Sequence, residues 1–416
     1  MDNTSYGNRK INDGFFVFIF FIIFVVSVIS NPVNKIALYI LIPCLFVYSF
    51  LQNPRLILNF KPLFYFFVYI LWSIITTIKS VNFKSSLSEI WLLLSIFVFS
   101  YIIVEFSTRN IKYVYIFYWL YVLKFWTLMY KGYTLGFSLN SEERFSDEML
   151  NANLFGYLGF FAVVSSFFIW KVKLYPNKKS KNIHFWIFSI CTLGSVTASF
   201  IAASRAGIIL TVFAFSLFLV FNYLYPFSKK TIANVIVLST IIFLLTPFVL
   251  NVYSGSTMET RFQIENIDEE SRFKLIVEAL NVGLENPFFG VGSGNFIFYE
   301  PTQHYSHSTY FEVFANNGFL GLGLFLYLLY YYWKKNKILF KLVRNDNKRT
   351  AWYFLIFLVT FGIYNFFYVF HTSLFLMSFF FLVSIHLHLF TRYKFQKIID
   401  ESNLSNRHIG HIDKNN

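Results

Sequence analysis

The stretch Gly14-Phe15-Phe16-Val17-Phe18-Ile19-Phe20-Phe21-Ile22-Ile23-Phe24-Val25-Val26-Ser27-Val28-Ile29-Ser30 carries no charge and no alternation of apolar with polar residues. A helix of roughly twenty apolar residues crosses a bilayer core, whereas a barrel strand does so in about ten residues of alternating character. The stretch therefore predicts a membrane-spanning helix. A cleaved signal peptide is the other use of such a segment, but Ser30-Asn31-Pro32 lacks the small-residue cleavage pattern and further spans follow, so a retained first helix is expected. Similar runs recur near 36–51, 62–78, 88–105, 111–130, 154–170, 183–203, 206–223, 232–250, 310–333, 352–370 and 372–390. Together they predict an all-α polytopic membrane protein with about twelve transmembrane helices.

Composition agrees, since 56% of the 416 residues are hydrophobic and only 13% charged, too few to cover a water-facing globule. Cys44 and Cys191 lie inside apolar runs and read as small hydrophobes, not as a disulfide framework or a metal cage. A formal charge of +14 would suggest nucleic acid in a soluble protein. Here the basic residues gather in alternate loops: Arg9 and Lys10, Arg55 and Lys61, Arg109 and Lys112, Lys171 to Lys181, Lys229 and Lys230, Lys334 to Arg349, and the tail from Arg392. By the positive-inside rule those loops and both termini are cytoplasmic, and no nucleic-acid partner is expected.

The opposite side carries two segments too long for simple connectors, 131–153 and 251–309, the second lying between spans nine and ten. Three regions follow: 1–130 with five helices, 131–400 with the long outer loop, and a polar tail at 401–416 expected to be disordered. Within the long loop, Phe273, Val277, Leu280 and Leu284 recur at helical spacing from Ser271 to Glu285, predicting an amphipathic interfacial helix that Asn286-Pro287 ends.

The residues suited to chemistry lie around these outer segments. Ser204 is a fitting N-cap, and Arg205 after it would join a guanidinium to the free N–H groups of a helix start, an anion site. Its other reading is an arginine snorkelling to lipid phosphates. Arg272, capped by Asp268 or Ser271, repeats that logic, against a salt bridge to Glu269 or Glu270. Arg144 follows two glutamates that could simply pair with it. His307 has the near-neutral basicity of a general base for a sugar hydroxyl, and Glu312 would orient it or cap its helix. Gly290, Gly292 and Gly294 follow Gly-x-Gly-x-Gly without a preceding strand, which suits a tight turn or a backbone anion nest better than a dinucleotide fingerprint. His304 beside His307 lacks a third ligand at convincing spacing, so no metal site is expected.

Asn286-Pro287-Phe288-Phe289-Gly290-Val291-Gly292-Ser293-Gly294-Asn295, then His307-Ser308-Thr309-Tyr310-Phe311-Glu312 and Asn317-Gly318-Phe319-Leu320-Gly321, with Ser204-Arg205-Ala206-Gly207 upstream, resemble the shared region of the bacterial O-antigen ligase and O-antigen polymerase (Wzy) family. The resemblance runs from about Arg144 to Tyr332. It implies a membrane glycosyltransferase without cofactor or metal, acting at the outer face of the bacterial inner membrane on an undecaprenyl-pyrophosphate-linked oligosaccharide. Arg205, Arg272 and His307 would be its catalytic residues. Arg144, Glu312 and the three glycines would contact substrate. A polymerase is the expected form, for O-antigen or capsule, with a ligase to lipid A core as the alternative. Membrane lipids, a flippase and a chain-length regulator are the partners such a protein would meet. A flippase is the competing class, but it would need ionisable residues across the midplane.

Overall fold

The computed structural model describes residues 13–135, 152–172, 181–202, 204–224, 267–301, 303–343 and 348–412. Asp13–Phe21 (α1) continues through a π-helical turn into Ser27–Ile29 (α2), and Asn31–Ile36 (α3) continues through another into Ile42–Gln52 (α4). Leu56–Asn59 (α5), Lys61–Thr76 (α6), Phe83–Arg109 (α7), Lys112–Thr134 (α8), Ala152–Lys171 (α9), Lys181–Ile201 (α10) and Arg205–Leu219 (α11) follow. Beyond Leu224 the described helices are Ile267–Glu285 (α12), Thr309–Leu342 (α13), Lys348–Phe367 (α14) and Leu374–Ile412 (α15). Among the described residues, seven helical segments are long and apolar enough to cross a membrane, and three shorter apolar helices accompany them. The chain is thus an all-α polytopic membrane protein; the expected span at 232–250 lies outside the described residues.

Local chemistry sets the ends. Pro32 and Pro62 each sit in the first turn of a helix, where a missing N–H costs nothing, whereas Pro43 follows the π-helical turn inside the continuous Asn31–Gln52 helix. Asn82 caps α7 by accepting from Ser85 N at 3.1 Å, and Ser204 caps α11, its Oγ accepting from Gly207 N at 3.2 Å. The expected cap at Ser204 is therefore present.

Lipid tails are as apolar as the side chains, so helices associate here through close packing. The N-terminal half is joined by rings: Phe24 lies against Phe99, Tyr121 and Phe375 at centroid distances of 5.5, 5.1 and 5.5 Å. Helices α9, α10 and α11 approach through small residues instead. A Cβ on Gly159 would lie 2.5 Å from Ser195 Oγ, and one on Gly207 2.8 Å from Ser199 Oγ. Gly156 meets Ser204 in the same seam, fixing the start of α11 beside the start of α9. Lys124 is buried in α8 with Nζ 3.4 Å from the centroid of the Phe375 ring, so it neither snorkels nor pairs with an acid among the described residues.

Two boundaries differ from expectation. The tail expected to be disordered from 401 is helical, because α15 continues to Ile412. Extending a formed helix costs far less than nucleating one, and Gln396 Nε2 to Asp400 Oδ1 at 3.0 Å bridges adjacent turns at the exit. The interfacial helix also begins earlier, at Ile267, which makes Arg272 its sixth residue and places both Asp268 and Ser271 inside the helix, where neither can be the cap. Its predicted end at Glu285 holds.

Candidate functional site

The loop of Asn286 to Phe296 folds onto a break in α13. Gly318 leaves helical geometry there with φ 66° and ψ −168°. The break frees carbonyls that the loop uses: Val291 N donates to Ala315 O and Gly292 N to Asn316 O, both at 2.9 Å, while Phe319 N donates to Pro287 O at 2.7 Å. Asn316 Oδ1 then accepts from Asn295 N at 3.1 Å and Phe296 N at 2.8 Å. Gly290, Gly292 and Gly294 have φ of 66°, 96° and 68°, the left-handed region where a side chain is strained. A Cβ on Gly290 would strike the Asn316 carbonyl, and one on Gly318 the Phe288 carbonyl. With the N–H groups of Gly290 and Gly292 already donated to protein carbonyls, the tight-turn reading of the glycines accounts for this geometry. Gly318→Ala should therefore lower stability by roughly 1–3 kcal/mol, seen as a lower melting temperature in detergent. An unchanged melting temperature would contradict the clamp.

The turn between α6 and α7 grips the loop from the other side. Ser85 Oγ donates to Gly294 O and Ser86 Oγ to Ser293 O, and Asn295 Oδ1 accepts from Asn82 N, each at 2.7 Å. Asn317 joins all three parts: its Oδ1 accepts from Ser293 Oγ at 2.8 Å and Thr76 Oγ1 at 2.9 Å, and its backbone carbonyl accepts from Trp72 Nε1 at 2.8 Å. Sequence reading missed these partners. Their signal was present in Asn316-Asn317 within an apolar helix and Ser85-Ser86 at a helix start, polar pairs that need partners when buried.

His307 stands on the rim of this scaffold with φ 57°. Both sides of it are fastened. Ser306 N donates to Glu312 Oε2 at 2.7 Å and Ser306 Oγ to Ser308 O at 2.9 Å. Beyond it, Thr309 Oγ1 donates to Tyr368 O and accepts from Phe370 N, both at 2.8 Å. Glu312, left open between orienting the histidine and capping its helix, makes no cap bond; it accepts from Ser306 N and so closes the turn that carries His307. The Tyr305 ring lies 4.5 Å from the imidazole, centroid to centroid, and His307 itself is partly exposed.

Tyr157 links this rim to the start of α11. Its ring packs 4.8 Å from Tyr368, its neighbour Gly156 touches Ser204, and its hydroxyl donates to Phe367 O at 3.4 Å. The start of α11, which carries Arg205, and the His307 turn thus share one end of the bundle. Helix α12 lies against the loop, with Ala279 and Val282 packed on Val291, Phe296 and Ala315. Phe273 and Leu284, expected on its apolar face, point outward at 67% and 55% exposure, as an interfacial helix requires if the small residues face protein. Arg205 and Arg272 are described for backbone only, and Arg144 lies outside the described residues. Arg272 sits past the first turn, so the free N–H groups invoked for it are one turn away.

Comparison with curated proteins finds no match. Residues 190–326 match the family model described as O-antigen ligase. The matched stretch holds Arg205, Arg272, the glycine loop, His307, Glu312 and the break in α13, and leaves Arg144, α6 and α7 outside. The chain is therefore an integral membrane protein, a polytopic helical bundle in which a stretch similar to the O-antigen ligase family builds one polar end.

Proposed function

We propose that the chain is a polysaccharide polymerase that transfers a glycan from undecaprenyl pyrophosphate to a lipid-linked repeat unit at the outer face of the inner membrane. One observation carries the reading most: His307 occupies left-handed backbone, uncommon outside glycine, and bonds on both sides of it hold that strain. Such strain collects where a side chain must be aimed. His307 takes the proton of the acceptor hydroxyl as its oxygen attacks the anomeric carbon. The bond from that carbon to the pyrophosphate oxygen breaks, and polyprenyl pyrophosphate leaves with the electron pair. Arg205 and Arg272 offset its charge, with Arg144 as a third contact, which is electrostatic stabilisation of a leaving group. The glycines shape the wall behind the sugar, and Glu312 keeps the base in place.

A ligase, which would deliver the finished chain to lipid A core, uses the same site. The description of the matched family favours this second reading. The product that accumulates when His307→Ala replaces the wild type separates them. For a polymerase, the surface glycan should shrink from a ladder to one repeat on its acceptor. For a ligase, acceptors should carry no repeat while long chains build up on the lipid carrier. An unchanged ladder with normal lipid-linked pools would remove His307 from the chemistry.

A further inference from the structure

Past its break, α13 is too short to cross a bilayer with its apolar face alone. Tyr330 and Trp333 are exposed just before Lys334, where aromatic rings ordinarily mark a membrane boundary, and they place that boundary at the basic end of the helix. From Trp333 back to Phe319, the first residue after Gly318, a helix rises about 21 Å, against a hydrocarbon core of about 30 Å. Helix α6 gives the same height independently. Trp72 stands about 17 Å along α6 from Lys61, the exposed cation that begins it. The Phe289 ring stacks on Trp72 with centroids 5.2 Å apart. Both counts put the tip of the glycine loop and the break in α13 below the membrane surface.

The outward surface at that height suits lipid. Phe288, Phe289, Phe319 and Leu320 are exposed and uncharged, a patch that water would not favour. Trp72 makes it continuous with the exposed Leu71 and Ile75 of α6, since it stacks on Phe289 and would lie 3.4 Å from a Cβ on Gly321. Non-helical backbone is tolerated among acyl chains only where protein satisfies its polar groups. The loop meets that demand: the amides of Gly290, Val291, Gly292, Asn295 and Phe296 all donate to protein oxygens, and Trp72 Nε1 donates to Asn317 O beside the break. We infer that this face is immersed in phospholipid acyl chains of the leaflet at the polar end, with Phe288, Phe289, Phe319 and Leu320 supplying the apolar height that α13 lacks. The glycine loop then sits at the depth of a lipid carrier's chain, a consequence that rests on the function proposed above, whereas the immersion does not.

Spin labels read this depth without substrate. In the full chain, Cys44→Ser and Cys191→Ala remove the native thiols. Phe288→Cys and Phe319→Cys are then labelled one at a time in liposomes of phosphatidylethanolamine and phosphatidylglycerol. Leu326→Cys, exposed in mid-span, and Lys341→Cys, exposed at the basic end, are labelled beside them. Oxygen concentrates among acyl chains, whereas a nickel chelate stays in water. Labels at 288 and 319 should lose relaxation by the chelate and keep relaxation by oxygen, as at 326, while the label at 341 should be relaxed by the chelate. If either variant fails to accumulate, its exposed neighbour, Phe289 or Leu320, is substituted instead. A label at either position that the chelate relaxes as it does at 341 overturns the inference. Because no turnover enters the measurement, that result leaves the role proposed for His307 standing.

Discussion

His307→Gly should reach the membrane at normal levels and lose transfer by about 10²–10⁴-fold, the range that general-base catalysis contributes. Glycine is chosen because of φ 57° at this position. An alanine there keeps the strained backbone without the ring, while glycine relieves the strain and leaves the Ser306, Thr309 and Glu312 bonds intact. Melting temperature in detergent should therefore be equal to or above wild type for glycine and slightly below it for alanine, with both inactive. Stability and activity then move in opposite directions, the mark of strain kept for function. A glycine variant that melts much earlier than wild type would mean that the histidine holds the loop, and its loss of activity would say nothing about proton transfer.

Arg205→Lys and Arg272→Lys should each reduce transfer by about 10²-fold or more with protein levels unchanged, comparable to removing a preorganised donor to a developing negative charge. Lysine keeps the charge but cannot make the paired hydrogen bonds that a guanidinium offers phosphate oxygens. The two positions need not respond alike. Arg205 is the first residue of a helix whose cap is in place, so it stands at the positive end of the helix dipole. Arg272 is the sixth residue of α12 and has no such support. Its lysine variant should therefore be the more damaged of the two. Near-normal product from either variant would take that residue out of the anion site, as glycan length and protein amount from the same cells would show.

Most of the fold was legible because each apolar run long enough to span a bilayer announces itself, and a capping residue such as Ser204 marks a helix start by hydrogen-bond chemistry that depends on local sequence. The end of α12 at Glu285 was legible for the same reason, since Asn286-Pro287 stops a helix wherever it occurs. Its start was not. Asp268 and Ser271 are both good caps, and nothing local decides whether the helix begins before or after them. The continuation of α15 to Ile412 was hidden by polar composition, which says what a segment cannot bury but not whether an existing helix will run on through it.

Site residues divide along the same line. His307, Glu312 and the glycines were found because they are close in sequence. Thr76, Ser86 and Glu89 come to the loop from distant helices, with His371 beside Glu89 from the turn between α14 and α15, and only the three-dimensional arrangement joins them. The sequence neighbours of His371 gave no sign that a carboxylate stood 3.6 Å away.

The central claim is that this polar end of the bundle moves a glycan off a polyprenyl pyrophosphate. It is tested most directly by placing the purified chain in proteoliposomes with an undecaprenyl-pyrophosphate-linked oligosaccharide, adding a hydroxyl acceptor, and following release of undecaprenyl pyrophosphate. Wild-type protein should release it in step with a lengthened or transferred glycan, and His307→Gly should release none above background. Donor that stays intact with wild-type protein in the presence of either a second lipid-linked repeat or lipid A core, or equal release by the two proteins, would contradict the account.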